Sequence, residues 1–150
     1  MHRQGGTTLV ELLTVVAMIG ILTAVAVPGA AAARGAFAGD AAVRKLALVL
    51  RVAQARAEAR ASIVRVTVAG DGTYVVLDVS AGADLAAPVA EGDLGAEVHT
   101  NYPGGALEFG PCGWPCLPGA ASPRAGSFTI GTGSADAKVV VQLGGCVRCG

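Results

Sequence analysis

Gly5-Gly6-Thr7-Thr8-Leu9-Val10-Glu11-Leu12-Leu13 opens an apolar run that carries no further charge as far as Val27, where Pro28 follows. As a helix, the 21 residues 7–27 rise about 1.5 Å each, roughly 30 Å in all, which is the thickness of a bilayer hydrocarbon core. The length predicts a membrane-spanning helix over 7–28. Glu11 is the one ionisable residue inside it. A carboxylate in such a helix costs on the order of 2.5 to 3.5 kcal/mol near the bilayer centre, less toward the interface, and marks a functional position. A secretory signal peptide is the competing reading, with His2 and Arg3 as its basic start and the alanines of 30–33 as its small-residue cleavage region. Glu11 argues against it, because a charge weakens the apolar core that such a signal needs.

The 150 residues leave room for that helix and one small domain. Hydrophobic residues make up 53% and aromatic residues 4%, so the core must be built from Val, Leu and Ala. The 22 glycines and 7 prolines predict many turns, and the apolar fraction is too high for a disordered chain. Formal net charge is zero, but its distribution is uneven. Arg34, Arg44, Lys45, Arg51, Arg56, Arg60 and Arg65 face only Asp40 and Glu58 in their stretch. Asp71, Asp78, Asp84, Glu91, Asp93, Glu97 and Glu108 follow with no Lys or Arg among them. These blocks either attract each other, within or between subunits, or form two solvated faces.

Residues 29–62 read as a continued helix that Pro28 kinks without ending, weakened by Gly35 and Gly39 at roughly 1 kcal/mol each. Val43, Leu46, Leu50, Ala53 and Ala57 recur at spacings of three and four and form an apolar stripe suited to a sheet, with Arg44, Arg51, Arg56 and Arg60 off it. At Ile63 the period changes to two. Val64, Val66 and Val68 alternate with polar or small residues, Gly70-Asp71-Gly72 interrupts, and a second β-branched run from Tyr74 to Val79 completes a hairpin. The stretch 80–105 reads as a variable loop region with a short strand within 97–102. Further strands are expected at 106–109, 127–130 and 137–143, and the Cys112-Gly113-Trp114-Pro115-Cys116 stretch as irregular. Helix first and antiparallel strands after, without βαβ alternation, is an α+β arrangement: a long N-terminal helix packed on antiparallel sheet over 63–150.

The opening residues, with Gly6 before an apolar helix that bears Glu11 at its fifth position, resemble the class III signal of type IV prepilins and type II secretion pseudopilins. The ending, Ala106-Leu107-Glu108-Phe109-Gly110, then Ser127-Phe128-Thr129-Ile130 and Gly145-Cys146-Val147-Arg148, is similar to the GspH/FimT minor pseudopilin and pilin branch, in which two sheets pack beside the helix. The resemblance implies a leader over 1–6, removed by a prepilin peptidase between Gly6 and Thr7, and N-methylation of Thr7, although the family has phenylalanine at that position. It implies a single-pass inner-membrane protein with its carboxy-terminal part outside. The chain would then join other pilin or pseudopilin subunits through the N-terminal helix, with Glu11 and Pro28 serving assembly, at an inner-membrane assembly platform. The filament would lie in the periplasm or at the cell surface.

Four cysteines fall in two close pairs, Cys112 with Cys116 and Cys146 with Cys149. Outside the cytoplasm, disulfides are the expectation, and four cysteines permit three pairings. A tetrahedral zinc site is the rival. A thiol-redox site at Cys146-Val147-Arg148-Cys149 lacks a following helix to lower a thiol pKa. The branch also contains competence-type pilins that bind DNA through a basic tail; the corresponding candidates here are Arg148, Arg124 and Lys138, a sparse set in a chain of zero net charge. No catalytic constellation and no cofactor are expected. His99 stands without an evident nucleophile, and Asp71 between glycines reads as a turn residue.

Overall fold

The computed structural model describes residues 8–79, 88–131 and 136–149, with backbone alone over 25–36. The leader 1–6, Thr7, the side chain of Pro28 and part of the 80–105 loop lie outside the described residues. The chain divides into two units, Met1–Arg34 and Gly35–Gly150. One helix, α1 (Leu9–Arg60), contributes to both, and its backbone stays helical through Pro28.

In the second unit, the predicted stripe is the buried face of α1. Val43, Leu46, Leu50, Ala53 and Ala57 are all buried, together with the neighbouring Ala42 and Ala47. Leu46 and Leu50 are wholly inaccessible, and burying each is worth roughly 2 to 3 kcal/mol. The alanines keep the helix surface low enough for the sheets to approach it. Glu58 and Ala57 carbonyls end the helix, accepting from the amides of Ala61 and Ser62. The chain turns at Ala61 with φ at 48°.

Two antiparallel sheets share this core. The first runs in the order β3-β2-β1-β5-β6, built from β1 (Val64–Val68), β2 (Thr73–Asp78), β3 (Ala90–Asp93), β5 (Ala106–Phe109) and β6 (Pro115–Cys116). The second runs β4-β7-β8-β9, built from β4 (Val98–Thr100), β7 (Gly126–Gly131), β8 (Asp136–Val141) and β9 (Val147–Cys149). The expected hairpin is the β1–β2 pair, with Val66 opposite Val76. Alternation sends Val64, Val66, Val68, Val76, Leu107 and Phe109 inward from the first sheet, and Phe128, Ile130, Val139 and Val141 inward from the second. With the helix stripe they form one cluster.

Three differences from the sequence reading stand out. Besides β4, which falls within the short strand expected at 97–102, the 80–105 region supplies β3 and a 3-10 turn over Pro103–Gly105. The Cys112–Cys116 stretch holds the two-residue strand β6, paired with Glu108 and Phe109. The tail forms β9 against β8. Both β6 and β9 are too short to show a period of two.

Candidate functional site

In the first unit, Thr8 begins α1 as its N-cap. The Glu11 amide donates to the Thr8 hydroxyl (3.4 Å) and carbonyl (3.0 Å), the N-cap bond of a Thr-x-x-Glu sequence. Glu11 therefore stands in the first turn, where the helix dipole favours negative charge. The Thr8-Leu9-Val10-Glu11 spacing was the sequence signal for this, and hydropathy alone overlooks it.

Beyond the cap, apolar side chains project from every face of the helix. Their exposure runs from 51% at Val15 to 78% at Leu9, with Val10, Leu12, Leu13, Val16, Met18, Ile19, Ile21 and Leu22 between. The interspersed polar groups are closed off locally. Thr14 donates its hydroxyl to the Glu11 carbonyl (2.8 Å), and Thr23 to the Ile19 and Gly20 carbonyls (both 2.9 Å). The segment thus offers its surroundings an apolar surface with one charge, at its N-terminal end. A helix apolar all round is a helix to be covered, either by protein or by lipid. Among the described residues no helix is long and apolar enough to cross a membrane; the described side chains of this segment end at Ala24.

The four cysteines are free thiols. Cys112 lies at the tip of the β5–β6 hairpin, and Cys146 follows the tip of the β8–β9 hairpin. Both tips have the same form: the Gly113 amide donates to Gly110 and the Gly110 amide to Trp114, while Gly145 donates to Gln142 and Gln142 to Cys146. Each turn closes through a glycine with positive φ, 73° at Gly113 and 82° at Gly145. The tips meet beside α1. The Gln54 amide donates to the Gly113 carbonyl (3.2 Å), the Arg51 guanidinium donates to the Val147 carbonyl (3.1 Å), and a Cβ placed on Gly145 would lie 2.5 Å from the Gly113 oxygen. Sequence reasoning missed this seam, because nothing local announces that two distant glycines touch.

Cys116 sits elsewhere, opposite Glu108 on the face of the first sheet turned away from the core. Burial raises its thiol pKa, with the Glu108 carboxylate adding to the shift. That carboxylate accepts from Arg65 Nε (2.8 Å) and Nη2 (2.6 Å), and its other oxygen accepts from the Gly119 amide (3.2 Å). Among the described residues, which include all four cysteines, no group of three or more His, Cys, Asp or Glu converges as a metal site, so the zinc reading gains no support.

The charge blocks meet within the subunit at Arg65–Glu108 and, more loosely, at Arg56–Asp78 (3.8 Å). Arg44 pairs instead with Asp40 along the helix. Of the candidate DNA-contacting residues, Lys138 and Arg148 share the outward face of the second sheet, since Val140 lies two residues from Lys138 and directly opposite Arg148. Arg124 is in the connection before β7, its amide donating to Pro115 (2.7 Å). Asp71 is a turn residue as read: its carboxylate accepts from the Thr73 amide (2.9 Å) and hydroxyl (2.7 Å), which lowers its pKa.

No protein-family model and no curated protein matches the sequence. Solved structures do. The type IV minor pilin FimU of Pseudomonas aeruginosa superposes with a TM-score of 0.62 at 15% identity, over 75% of this chain and 87% of that one. A second crystal form of FimU gives 0.60 at 16% identity, over 74% and 91%. The minor pseudopilin EpsH of the Vibrio cholerae type 2 secretion system gives 0.58 at 11% identity, over 74% and 94%. At these identities the likeness concerns the fold, a long N-terminal helix packed on antiparallel sheets, and this chain has the pilin-like fold of those minor pilins and pseudopilins.

Proposed function

We propose that the chain is a minor pilin or pseudopilin subunit, cut after Gly6 by a prepilin peptidase, N-methylated at Thr7, and assembled through its N-terminal helix with other subunits. The observation that carries this reading is the helix of residues 8–24: apolar on every face, exposed along its whole described length, and charged only at Glu11. Such a surface calls for lipid before assembly and for neighbouring helices afterwards. Before assembly, residues 7–28 hold the precursor in the inner membrane, with the sheets outside the cytoplasm. An assembly platform then draws the subunit into a filament in the periplasm or at the cell surface.

Glu11 serves both states. At the membrane it lies in the first turn, at the positive end of the helix dipole and close to the interface, where a carboxylate costs least. In the filament it pairs with the terminal ammonium of a neighbouring subunit. Pairing of two desolvated ions offsets their desolvation only in good geometry, so the pair sets axial register more than it adds stability. Pro28 interrupts one amide donor of the helix ladder and gives the helix a point of bending during this transfer.

Mass measurement of the chain recovered from cells that contain a prepilin peptidase tests the processing. The expected product begins at Thr7 and is one methyl group heavier than the bare chain. A product that begins at Met1, or after the alanines of 30–33, overturns the reading; the second of these outcomes marks a secretory signal.

A further inference from the structure

We propose that a groove between α1 and the edge strand β3 receives an extended segment of another protein. That segment adds to β3 as an antiparallel strand, with apolar residues facing the helix, basic residues facing outward and a terminal carboxylate at Arg56. The site lies wholly within the second unit.

The groove has a volume of about 240 Å³ and is lined by Leu48, Val52, Val76, Val89, Ala90 and Arg56. Val76 is buried, and Ala90 stands opposite it in the register, so both point to the helix side of the sheet. Ala90 is nevertheless exposed. On the helix, Leu48 is 61% and Val52 57% exposed. The helix therefore leaves the beginning of β3 uncovered, and the two elements flank an open apolar trough.

Among the described residues β3 is the outermost strand of the first sheet on this side. The Leu94 amide donates to the Gly72 carbonyl, and the antiparallel ladder alternates from there. The backbone groups of Ala90 and Gly92 thus face β2, and those of Glu91 and Asp93 face away. Lys45 of α1 takes up the Asp93 carbonyl. The Glu91 amide and carbonyl stand open beside the trough, as the donor and acceptor pair that an added antiparallel strand engages.

Charge selects the occupant. The side chains of Glu91 and Asp93 alternate with Ala90 and Gly92 and so lie on the outward face, both exposed. Like charges directly opposite each other destabilise a strand pair, which makes the β3 of a second copy a poor partner and a strand with basic outward residues a good one. At the far end of the groove the Arg56 Nε is buried without a hydrogen-bond partner, its contact with the Asp78 carboxylate being 3.8 Å long. A carboxylate that arrives there supplies the missing acceptor. Because α1 runs from Lys45, beside Asp93, to Arg56, beyond Ala90, a strand that ends at Arg56 runs opposite to β3. From Lys45 to Arg56 the helix rises about 16 Å at about 1.5 Å per residue, the length of about five extended residues.

The test titrates the isotope-labelled full chain in detergent with a pentapeptide that alternates valine and lysine, is acetylated at its N-terminus and has a free C-terminal carboxylate. Backbone amides are followed by NMR. Saturable shifts are expected at Val52, Ala90 and Glu91. The same peptide with an amidated C-terminus should bind at least about threefold more weakly, and Arg56→Gln should erase that difference. Glutamate in place of lysine should also weaken binding, and Glu91→Lys should reverse the order of the two peptides. Val52→Lys, at an exposed position, should abolish the shifts at Ala90 and Glu91. Circular dichroism establishes that each variant is folded. Equal affinity for the lysine and glutamate peptides, shifts confined to other surfaces, or no shifts with peptide in large excess overturns the proposal. So does concentration-dependent shifting of the same amides without peptide, which marks a second copy as the occupant. Binding that appears only when residues 81–87 are replaced by a glycine–serine linker overturns it as well, because the occupant is then the chain's own segment.

Discussion

Gly145→Ala probes the seam most sharply, because the structure assigns its cost to two separable causes. The residue has φ at 82°, and placing an L side chain in the left-handed region costs about 1 to 2 kcal/mol. The new Cβ would also lie 2.5 Å from the Gly113 carbonyl oxygen and collide with the Gln54 amide; the first of these is backbone held in a hairpin. Overpacking of this kind costs about 1 to 3 kcal/mol. Alanine restricts the unfolded chain and returns about 0.4 to 1 kcal/mol. The expected net loss is about 2 to 4 kcal/mol, a drop in melting temperature of roughly 8 to 16 °C at about 4 °C per kcal/mol. Two controls separate the causes. Gly95→Ala has a positive φ of 72° with no atom within 4 Å of its Cβ, and should cost about 1 kcal/mol. Gly144→Ala meets no atom within 4 Å and has no positive φ, and should be neutral. Thermal unfolding of the detergent-solubilised chain, followed by circular dichroism and by Trp114 fluorescence, ranks the three. If Gly145→Ala is no more destabilising than Gly95→Ala, the hairpin tips do not touch and the reasoning about the seam fails.

Glu108→Ala strands the Arg65 guanidinium, only 27% exposed, and leaves the Gly119 amide without its acceptor, so it should cost roughly 2 to 3 kcal/mol in urea unfolding, below the full figure for a buried pair because Arg65 is partly solvated. Removing both charges with Arg65→Met and Glu108→Leu should recover most of the loss, and failure to recover it would mean that the pair is more than mutual compensation. Tyr102 gives a pH signature. Its phenol, which donates to the Arg124 carbonyl (3.4 Å), is pushed up to about 12 by burial, against an ordinary value of 10. Below pH 10 both states are protonated; between 10 and 12 the unfolded chain loses its proton first, so stability should fall with rising pH by on the order of 2 kcal/mol. Equilibrium unfolding of Tyr102→Phe beside the wild type isolates that slope, which the variant should lack.

The elements that were legible are those whose burial is written in a local period. The stripe from Val43 to Ala57 is visible because a helix facing two sheets repeats apolar residues every three or four positions. The β1–β2 hairpin is visible because Val64, Val66 and Val68 alternate up to Gly70-Asp71-Gly72. What stayed hidden depends on distant chain. Glu108 lies in an Ala-Leu-Glu-Phe strand and reads as an outward-facing charge; it is buried because the connection near Gly119 folds over that face. The strands β6 and β9 are recognisable only by the partners that pair with them. The division into two sheets follows from long-range pairing, β5 beside β1 and β7 beside β4, that no window of sequence contains. For the N-terminal helix the balance is reversed: its apolarity and its single carboxylate are plain in the sequence, and the structure adds the Thr8 cap that puts Glu11 in the first turn.

In the proposed assembly, residues 7–28 leave lipid for a core of packed helices in which Glu11 pairs with a neighbouring subunit's terminal ammonium. The most direct measurement compares wild-type chain with Glu11→Gln in cells that assemble the filament, quantifying the protein in the membrane fraction and in sheared filaments. Glutamine preserves shape and removes the charge. Equal amounts in the membrane are expected, with at least a roughly tenfold loss from filaments, the consequence of an uncompensated ammonium worth more than about 1.4 kcal/mol in the core. Equal incorporation of Glu11→Gln into filaments would contradict it.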